Sequence, residues 1–195
     1  MLAVPRIAFL AVLALAAGGC AAEARRGQPH EYLDERTAAT ITAVDQPLVC
    51  ARERTDLAAN ARDYVTLAAA AVDRGGKVQY VLIAYGWSTV DSRLSQERPP
   101  LPDTVVVAAD DRRLLFAHPS GSPADAGIAR PVGAPPGPAR TPYVFGTDLA
   151  TLRYLAAARH LSLRLSVGEG APVYEIWADG RAALGAWAQA LEGAR

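Results

Sequence analysis

The stretch YVTLAAAAVDRGGKVQYVLIAYGWSTV, residues 64–90, determines the fold class of this chain. Its two halves, Tyr64 to Val72 and Val78 to Val90, are rich in strand-forming residues and flank two glycines, which a hairpin loop needs at positive φ. We therefore predict an antiparallel hairpin. In the second half, both alternating sets are apolar: Val78, Tyr80, Leu82 and Ala84 on one face, and Val81, Ile83, Tyr85 and Trp87 on the other. A strand that is apolar on both faces is covered on both sides, so we expect it to lie centrally in the sheet.

Further strands are predicted on either side of this hairpin. The apolar and β-branched segments cover residues 40–44, 48–52, 104–109, 112–117, 143–145, 161–167 and 173–177. The breaker Asp45-Gln46-Pro47 predicts a hairpin between the first two segments. Asp110-Asp111 suits the turn of another hairpin.

Two helices are predicted in the C-terminal half of the chain. The first carries leucines at 149, 152 and 155, after Thr147 or Asp148 as its cap. The second follows Asp179 and carries apolar residues at 184, 187 and 191. We therefore expect an α+β domain over residues 37–193, with a mostly antiparallel sheet of roughly eight strands and two helices.

Residues 1–19 have the composition of an export signal. Met1 to Arg6 is a short start with one positive charge, and Ile7 to Ala17 contains no charged residue. This apolar stretch is shorter than the roughly twenty residues that a helix needs to cross the bilayer core. Small residues follow it, as they do at a signal-peptidase site. We therefore expect these residues to be removed on export.

The junction Leu15-Ala16-Ala17-Gly18-Gly19-Cys20 resembles the lipobox of bacterial lipoproteins. The two glycines fit that pattern, whereas Ala17 stands where the family usually has leucine. The resemblance implies that Cys20 becomes the lipidated first residue of the mature protein, with a diacylglyceryl thioether and an N-acyl chain such as palmitate. Two or more acyl chains anchor a protein stably in a membrane. The alternative is an ordinary cleaved signal peptide that leaves Cys20 unmodified.

The residues after the signal indicate a tether and a location. Residues 20–36 are polar and unpatterned, which is typical of a flexible tether between an anchor and a domain. In lipoproteins of this kind, an Asp directly after the cysteine favours retention in the inner membrane, and this chain has Ala21 there. The resemblance therefore implies the outer membrane, with the domain facing the periplasm.

Residues 118–140 interrupt the pattern with six prolines and four glycines and no apolar period. A structureless stretch of this length is unusual inside a compact domain. We interpret it as a mobile surface excursion that buries little area. The alternative is a boundary between two subdomains, 37–117 and 141–193.

The charge balance argues against a nucleic-acid partner. The chain has 20 Lys and Arg and 20 Asp and Glu residues, and its basic residues cluster no further than pairs. A nucleic-acid-binding domain shows a basic patch, and a polybasic membrane contact needs a similar cluster. We therefore expect membrane contact through the lipid anchor, and an envelope protein as the partner.

Few residues are candidates for catalysis. Asp110 and Asp111 could act as paired carboxylates, but adjacent strand residues point to opposite faces and both suit a turn. His118 with these aspartates could hold a metal ion, but the spacing matches no ligand pattern. The chain contains no P-loop, dinucleotide-binding, zinc-protease or nucleophile-elbow motif. We therefore predict a non-enzymatic protein without cofactor or metal. The alternative is a periplasmic hydrolase with a site near His118 and Asp111.

Two further side chains have alternative roles. With Cys20 lipidated, Cys50 has no cysteine partner in the chain. It falls in a predicted strand, and free cysteine is among the most buried residue types, so we predict an inert thiol. A reactive or intermolecularly paired thiol is the alternative. His160 directly follows the first predicted helix, where a cation suits the terminal carbonyl groups.

Two segments carry a wider resemblance. Tyr32 to Thr42 and Ala61-Arg62-Asp63-Tyr64-Val65-Thr66-Leu67 are similar to segments of uncharacterised proteobacterial envelope lipoproteins. The resemblance implies no activity. We therefore expect a non-enzymatic, periplasm-facing, membrane-anchored lipoprotein that acts as a binding or structural module of the bacterial envelope.

Overall fold

The computed structural model describes residues 29–193 except 59, 91–102, 118, 138, 140–141 and 169. In this part of the chain, one antiparallel sheet of ten strands carries two helices. The strands are β1 (His30–Asp34), β2 (Ala39–Ala43), β3 (Leu48–Glu53), β4 (Arg62–Arg74), β5 (Lys77–Ser88), β6 (Thr104–Ala109), β7 (Arg112–Ala117), β8 (Tyr143–Thr147), β9 (Leu161–Arg164) and β10 (Val173–Ala178), and the helices are α1 (Leu149–Ala157) and α2 (Arg181–Gly193). The α+β class with a mainly antiparallel sheet is confirmed, but the expected count of roughly eight strands is too low.

β4 and β5 form the predicted hairpin and the longest ladder of the sheet. The pairing continues from Asp63 to Arg74 of β4 without a break. In the turn, Gly75 and Gly76 have φ angles of 60° and 82°, which other residues rarely adopt. β5 also pairs with β8, and Val81–Tyr85 are buried on both faces. The central position predicted for this strand is therefore confirmed.

β2 and β3 do not pair with each other. Both run antiparallel to β4, with Ala43 of β2 opposite Ala70 and Leu48 of β3 opposite Leu67. Asp45-Gln46-Pro47 therefore bends one long edge of the sheet and does not reverse the chain. The hairpin predicted there is wrong. The physical reason is the length of β4, which offers backbone partners to two short strands in succession.

The sheet joins residues from both sides of the Pro/Gly-rich excursion. Its order runs β7, β6, β9, β10, β3, β4, β5 and β8, with β2 on the same side of β4 as β3 and β1 beyond β2. From the last third of the chain, β8 pairs with β5, β9 with β6 and β10 with β3. Segments 37–117 and 141–193 therefore share one sheet.

Both helices pack on the same face of the sheet, which we call the inner face. Leu152, Leu155 and Trp187 are fully buried there against alternate strand residues. The indole N–H of Trp187 donates to the carbonyl oxygen of Thr42 at 3.1 Å, close to the bend between β2 and β3. The inner face is thus a single apolar core that the helices close.

Side chains from neighbouring elements hold the ends of the helices. Of the two predicted caps, Thr147 and Asp148, it is Asp148 that caps α1, and Asp179 accepts from the backbone N–H of Arg181 at 3.0 Å. The guanidinium of Arg181 donates to the carbonyl oxygens just after α1, the role predicted for His160. His160 instead donates its backbone N–H to Asp110 at 2.8 Å. The sequence could not show this because Arg181 comes from a different helix.

Residues 30–34 form a strand at the edge of the sheet. β1 pairs with β2 from His30, opposite Ala43, to Asp34, opposite Ala39, and Asp34 is buried. The prediction that residues 20–36 are a flexible tether is therefore wrong for β1. An edge strand has one neighbour and can consist of polar residues, so it lacks the apolar alternation of an inner strand. Residues 1–28, which include the predicted signal and Cys20, lie outside the described residues.

The Pro/Gly-rich excursion packs on the outer face of the sheet, opposite the helices. We call residues 119–137 the strap. Ala126, Ile128 and Val132 of the strap are 6%, 2% and 4% exposed, and they pack against buried side chains of β2, β4, β5 and β8. The prediction that this segment is a mobile loop with little buried area is therefore wrong. Its apolar residues follow no helix or strand period, so no periodic pattern revealed their burial.

Polar contacts fix the strap to β1, β5 and the turn after β1. Oδ2 of Asp34 accepts the backbone N–H groups of Ala129 at 2.7 Å and Arg130 at 3.2 Å. Two hydroxyl groups donate to strap carbonyl oxygens, Thr37 to Gly127 at 2.7 Å and Tyr85 to Val132 at 2.9 Å. The strap thereby ties the N-terminal strand to the middle of the sheet.

The charge of Asp34 is expected to stabilise the fold in a pH-dependent way. Burial alone would raise the pKa of Asp34, but the backbone N–H groups that it accepts outweigh burial and lower the pKa. Its stabilising contribution is therefore present above the unfolded-state pKa of about 3.9 and is lost as the pH falls through the folded-state pKa.

We expect Asp34→Asn to lower the melting temperature at pH 7, and the difference from the parent protein to shrink below about pH 4. Thermal unfolding of both proteins across this range measures it. Asp103→Asn, at an exposed position, is the matched control and should change little. A loss at Asp34→Asn that stays constant with pH would contradict the role of the charge.

Candidate binding surface

The strap covers only one half of the outer face. We call the other half, over β7, β6, β9, β10 and β3, the bare half. By strand alternation and cross-strand register, its outward side chains are Arg113, Leu115, Val106, Ala108, Ser162, Arg164, Val173, Glu175 and Ala51. Leu115 is 59% exposed and Trp177, on the same half, is 56% exposed. Exposed apolar rings and aliphatic groups on one face are typical of an interaction site.

Trp177 reaches the solvent at a β-bulge. The pairing of β10 with β3 shifts between Ile176 and Ala178, which leaves Trp177 as the extra residue. A bulge interrupts the alternation of a strand and redirects a side chain. Alternation along β10 sets Trp177 on the same face as Val173 and Glu175, and the bulge ends the regular pairing at this ring. Tryptophan is usually well buried, so its exposure here is unusual.

Three aromatic rings meet beside this bulge, and we call Tyr64, Trp87 and Trp177 the aromatic cluster. Tyr64 and Trp87, opposite each other on β4 and β5, stack with centroids 4.0 Å apart and planes 9° apart. Trp177 approaches Tyr64 edge-on at 5.8 Å and 80°. The indole N–H of Trp87 donates to Oγ1 of Thr66 at 3.0 Å, which holds the stacked pair in place. Tyr64 and Trp87 thus form a stacked base, and Trp177 beside them is the ring that is exposed.

Arg62 links the aromatic cluster to a cleft in the sheet surface. Its guanidinium carbon lies 4.7 Å from the centroid of the Trp177 ring, and its Nη2 donates to Oε1 of Glu53 at 2.9 Å. The Trp177 cleft has a volume of about 440 Å³ and is lined by Ala51, Arg52, Glu53, Arg62, Pro172, Val173, Glu175, Ile176 and Trp177.

An ion-pair network braces the end of the sheet beside the cleft. Asp63, which is 7% exposed, accepts from Arg52 and Arg54, each at 2.9 Å. Burial would raise the pKa of Asp63, but the hydrogen bonds from these guanidinium groups outweigh it and lower the pKa. The network also fixes the Arg52 guanidinium, whose carbon lies 5.4 Å from the centroid of the Tyr174 ring.

Glu175 is the exposed acidic group in the middle of the bare half. It lines the Trp177 cleft and also a second cleft that contains Arg159 and Arg181. Within the described residues, its carboxylate accepts no hydrogen bond and forms no salt bridge. Arg52, Arg62 and Glu53 already have partners. The unpaired charge of the Trp177 cleft is therefore negative.

The aspartates of the alternative hydrolase site, Asp110 and Asp111, have structural roles in a turn. Asp111 lies in the turn between β6 and β7, where the hydroxyl of Tyr154 is 3.0 Å from its Oδ1. Asp110, with a φ of 50°, accepts backbone N–H groups instead, so the turn role is confirmed. Ala117 is six residues from Asp111 at the far end of β7, about 20 Å away at the usual rise of a strand. Cys20 and His118 lie outside the described residues, and the site near His118 stays a prediction.

Cys50 is buried as predicted. It is 0% exposed on β3, and burial, with the nearby carboxylate of Glu175, raises its pKa to about 12. A thiol with this pKa is protonated at neutral pH, whereas the thiolate is the nucleophile. The structure therefore gives Cys50 a packing role.

Sequence reasoning did not identify the aromatic cluster. The predicted strand at residues 173–177 ends with Trp177, and strand alternation sets this side chain on the same face as Val173 and Glu175. The face of Trp177 could therefore have been predicted from the sequence. Trp87 shared its predicted face with Tyr85, but Tyr85 lies under the strap and Trp87 beside the cleft. The boundary between them depends on where the strap ends, which no local pattern shows.

Comparison of the chain with protein-family models, with curated proteins and with solved structures gives no match. In the described part of the chain, no helix is both long and apolar enough to cross a membrane. Among the same residues, no three His, Cys, Asp or Glu side chains are grouped so that they could hold a metal ion.

Proposed function

We propose that this protein is a non-enzymatic, lipid-anchored binding module of the bacterial envelope that faces the periplasm. The anchor is Cys20, on the lipobox resemblance, and Ala21 favours the outer membrane. The binding site is the Trp177 cleft with its aromatic cluster. The partner is an envelope protein.

The observation that carries the binding role is an exposed tryptophan with an arginine stacked on it, above a braced cleft. Trp, Tyr and Arg are the residues that most often dominate binding energy at protein interfaces. Tyr64, which stacks on Trp87, and Arg62 both contact the Trp177 ring, so less side-chain entropy is lost when a partner binds. A large apolar ring on the surface lowers solubility, and a binding role would explain why this ring is exposed.

The anchor is tested by Cys20→Ser. We expect this variant to move from the membrane fraction to the soluble fraction of the envelope, because it lacks the acylated sulfur. Cys50→Ala is the matched control, and it should stay with membranes. Continued membrane association of Cys20→Ser would show that something other than the lipid anchors the protein.

The binding site is tested in cells by a photo-crosslinking amino acid at position 172, on the exposed rim of the cleft. We expect one distinct protein adduct, which disappears when Trp177→Ala is added. The same amino acid at position 78, which is exposed elsewhere on the sheet, is the control and should not give that adduct. An identical adduct from both positions, or one that survives Trp177→Ala, would contradict the proposal.

A further inference from the structure

We propose that the Trp177 cleft binds an extended, proline-containing peptide segment of its partner that also carries a basic residue. This inference rests on the proposed function and adds the chemical class of the ligand. Three observations support it: the way the strap covers the other half of the outer face, the groups that the cleft presents, and the sign of its unpaired charge.

The strap shows which kind of segment this sheet face accepts. After a turn at residues 123–127 it crosses the covered half without regular secondary structure, with Pro131 between Arg130 and Val132. The guanidinium of Arg130 stacks over the ring of Tyr32 at 5.1 Å, and the hydroxyl of Tyr85 donates to the carbonyl oxygen of Val132. The hydroxyl of Tyr32 also donates to the carbonyl oxygen of Arg130 at 3.4 Å, so an Arg-Pro segment is held here by tyrosine rings and their hydroxyl groups.

The Trp177 cleft offers the same kinds of contact without a covering segment from the described residues. The exposed ring of Trp177 provides an apolar surface, and its indole N–H makes no hydrogen bond within the described part of the chain. Peptides in the polyproline II conformation dock in grooves lined by aromatic side chains, with little entropy left to lose. The volume of about 440 Å³ lies in the range of small-ligand pockets.

The unpaired charge selects a basic ligand. Glu175 is exposed in the cleft, whereas Arg62 is paired with Glu53 and Arg52 with Asp63. A lysine or arginine of the ligand would therefore find a carboxylate free to pair with. An anionic membrane surface fits less well, because the same carboxylate would face lipid headgroups of like charge.

The test uses the full chain as Cys20→Ser, labelled with ¹⁵N, and the synthetic peptide acetyl-PPLPPR-amide as the probe. The protein has 3 tryptophans, so each indole N–H gives its own resonance. We expect the Trp177 resonance to shift on titration and the Trp187 resonance, buried and bonded to Thr42, to stay in place. Trp177→Ala should weaken binding about tenfold or more, as loss of an aromatic anchor does. Leu115→Ala, on the same half of the face but away from the cleft, should leave the affinity unchanged.

Charge is tested with acetyl-PPLPPE-amide and with Glu175→Gln. Both should weaken binding several-fold, and added salt should reduce the difference between the two peptides. The inference is overturned if Trp177 does not respond at millimolar peptide, if both peptides bind equally, or if vesicles of phosphatidylglycerol shift the same resonance while the peptide does not. A distinct crosslink from position 172 together with any of these results would leave the binding module intact and reject only the ligand class.

Discussion

Ile128→Ala is expected to lower the free energy of unfolding by about 2 to 5 kcal/mol, the usual cost of truncating a buried isoleucine. Ile128 is 2% exposed and packs in the outer-face cluster with side chains of β2, β4, β5 and β8. Its removal would leave a cavity that the strap cannot close easily, because hydrogen bonds to Asp34, Thr37 and Tyr85 hold the strap on both sides.

Urea unfolding of the Cys20→Ser chain measures this change, and Leu33→Ala is the matched control. Leu33 is 62% exposed on the edge strand, so its truncation should change the free energy of unfolding by no more than about 0.5 kcal/mol. Equal, small effects at both positions would mean that the strap contributes no more than a passive loop. A large effect at Ile128 alone would show that this Pro/Gly-rich segment is part of the core.

Trp187→Ala is the second substitution with a large expected effect, and it should lower the free energy of unfolding by about 3 to 5 kcal/mol. Trp187 is 0% exposed on α2, at the centre of the inner-face core, and its ring lies edge-on to Tyr80 at 6.3 Å. Its indole N–H also bonds Thr42 at the bend between β2 and β3. Truncation would therefore open a cavity and leave a carbonyl oxygen without its donor.

Two variants separate these contributions in the same unfolding experiment. Trp187→Phe keeps most of the ring and removes the donor, so we expect a loss of about 1 to 3 kcal/mol. Trp177→Ala removes the same residue type at a position that is 56% exposed, and it should cost much less than Trp187→Ala. Equal losses at positions 177 and 187 would contradict the assignment of one ring to the core and the other to the surface. The result also establishes that Trp177→Ala is folded in the binding experiments.

The edges of the sheet show where reasoning from the sequence stopped. β1 is mostly polar and pairs with a single strand among the described residues, so nothing in His30–Asp34 differs from a tether when the residues are taken alone. The turn Asp45-Gln46-Pro47 has the composition of a hairpin loop, yet β2 and β3 follow the same edge of β4. In both cases the outcome depends on a partner strand that lies elsewhere in the chain.

The candidate site was even less accessible to the sequence. Alternation along β10 places Trp177 on the outer face, but its exposure there also depends on the strap covering only the other half of that face, which β10 itself does not encode. The aromatic cluster needs β4, β5 and β10 side by side, which is a result of sheet order. Glu175 is unpaired because the neighbouring arginines found other carboxylates.

By itself the sequence determined what adjacent residues encode: the β4–β5 hairpin through its glycines, the central place of β5 through two apolar faces, and α1 through its cap at Asp148. These features depend on contacts between residues close in the chain, and their energies are visible as local patterns. Only the tertiary structure decided the order of the strands, the packing of the strap and the aromatic neighbours of Trp177. Each of these depends on contacts between distant segments, and many such pairings bury similar apolar area, so no local pattern distinguishes among them.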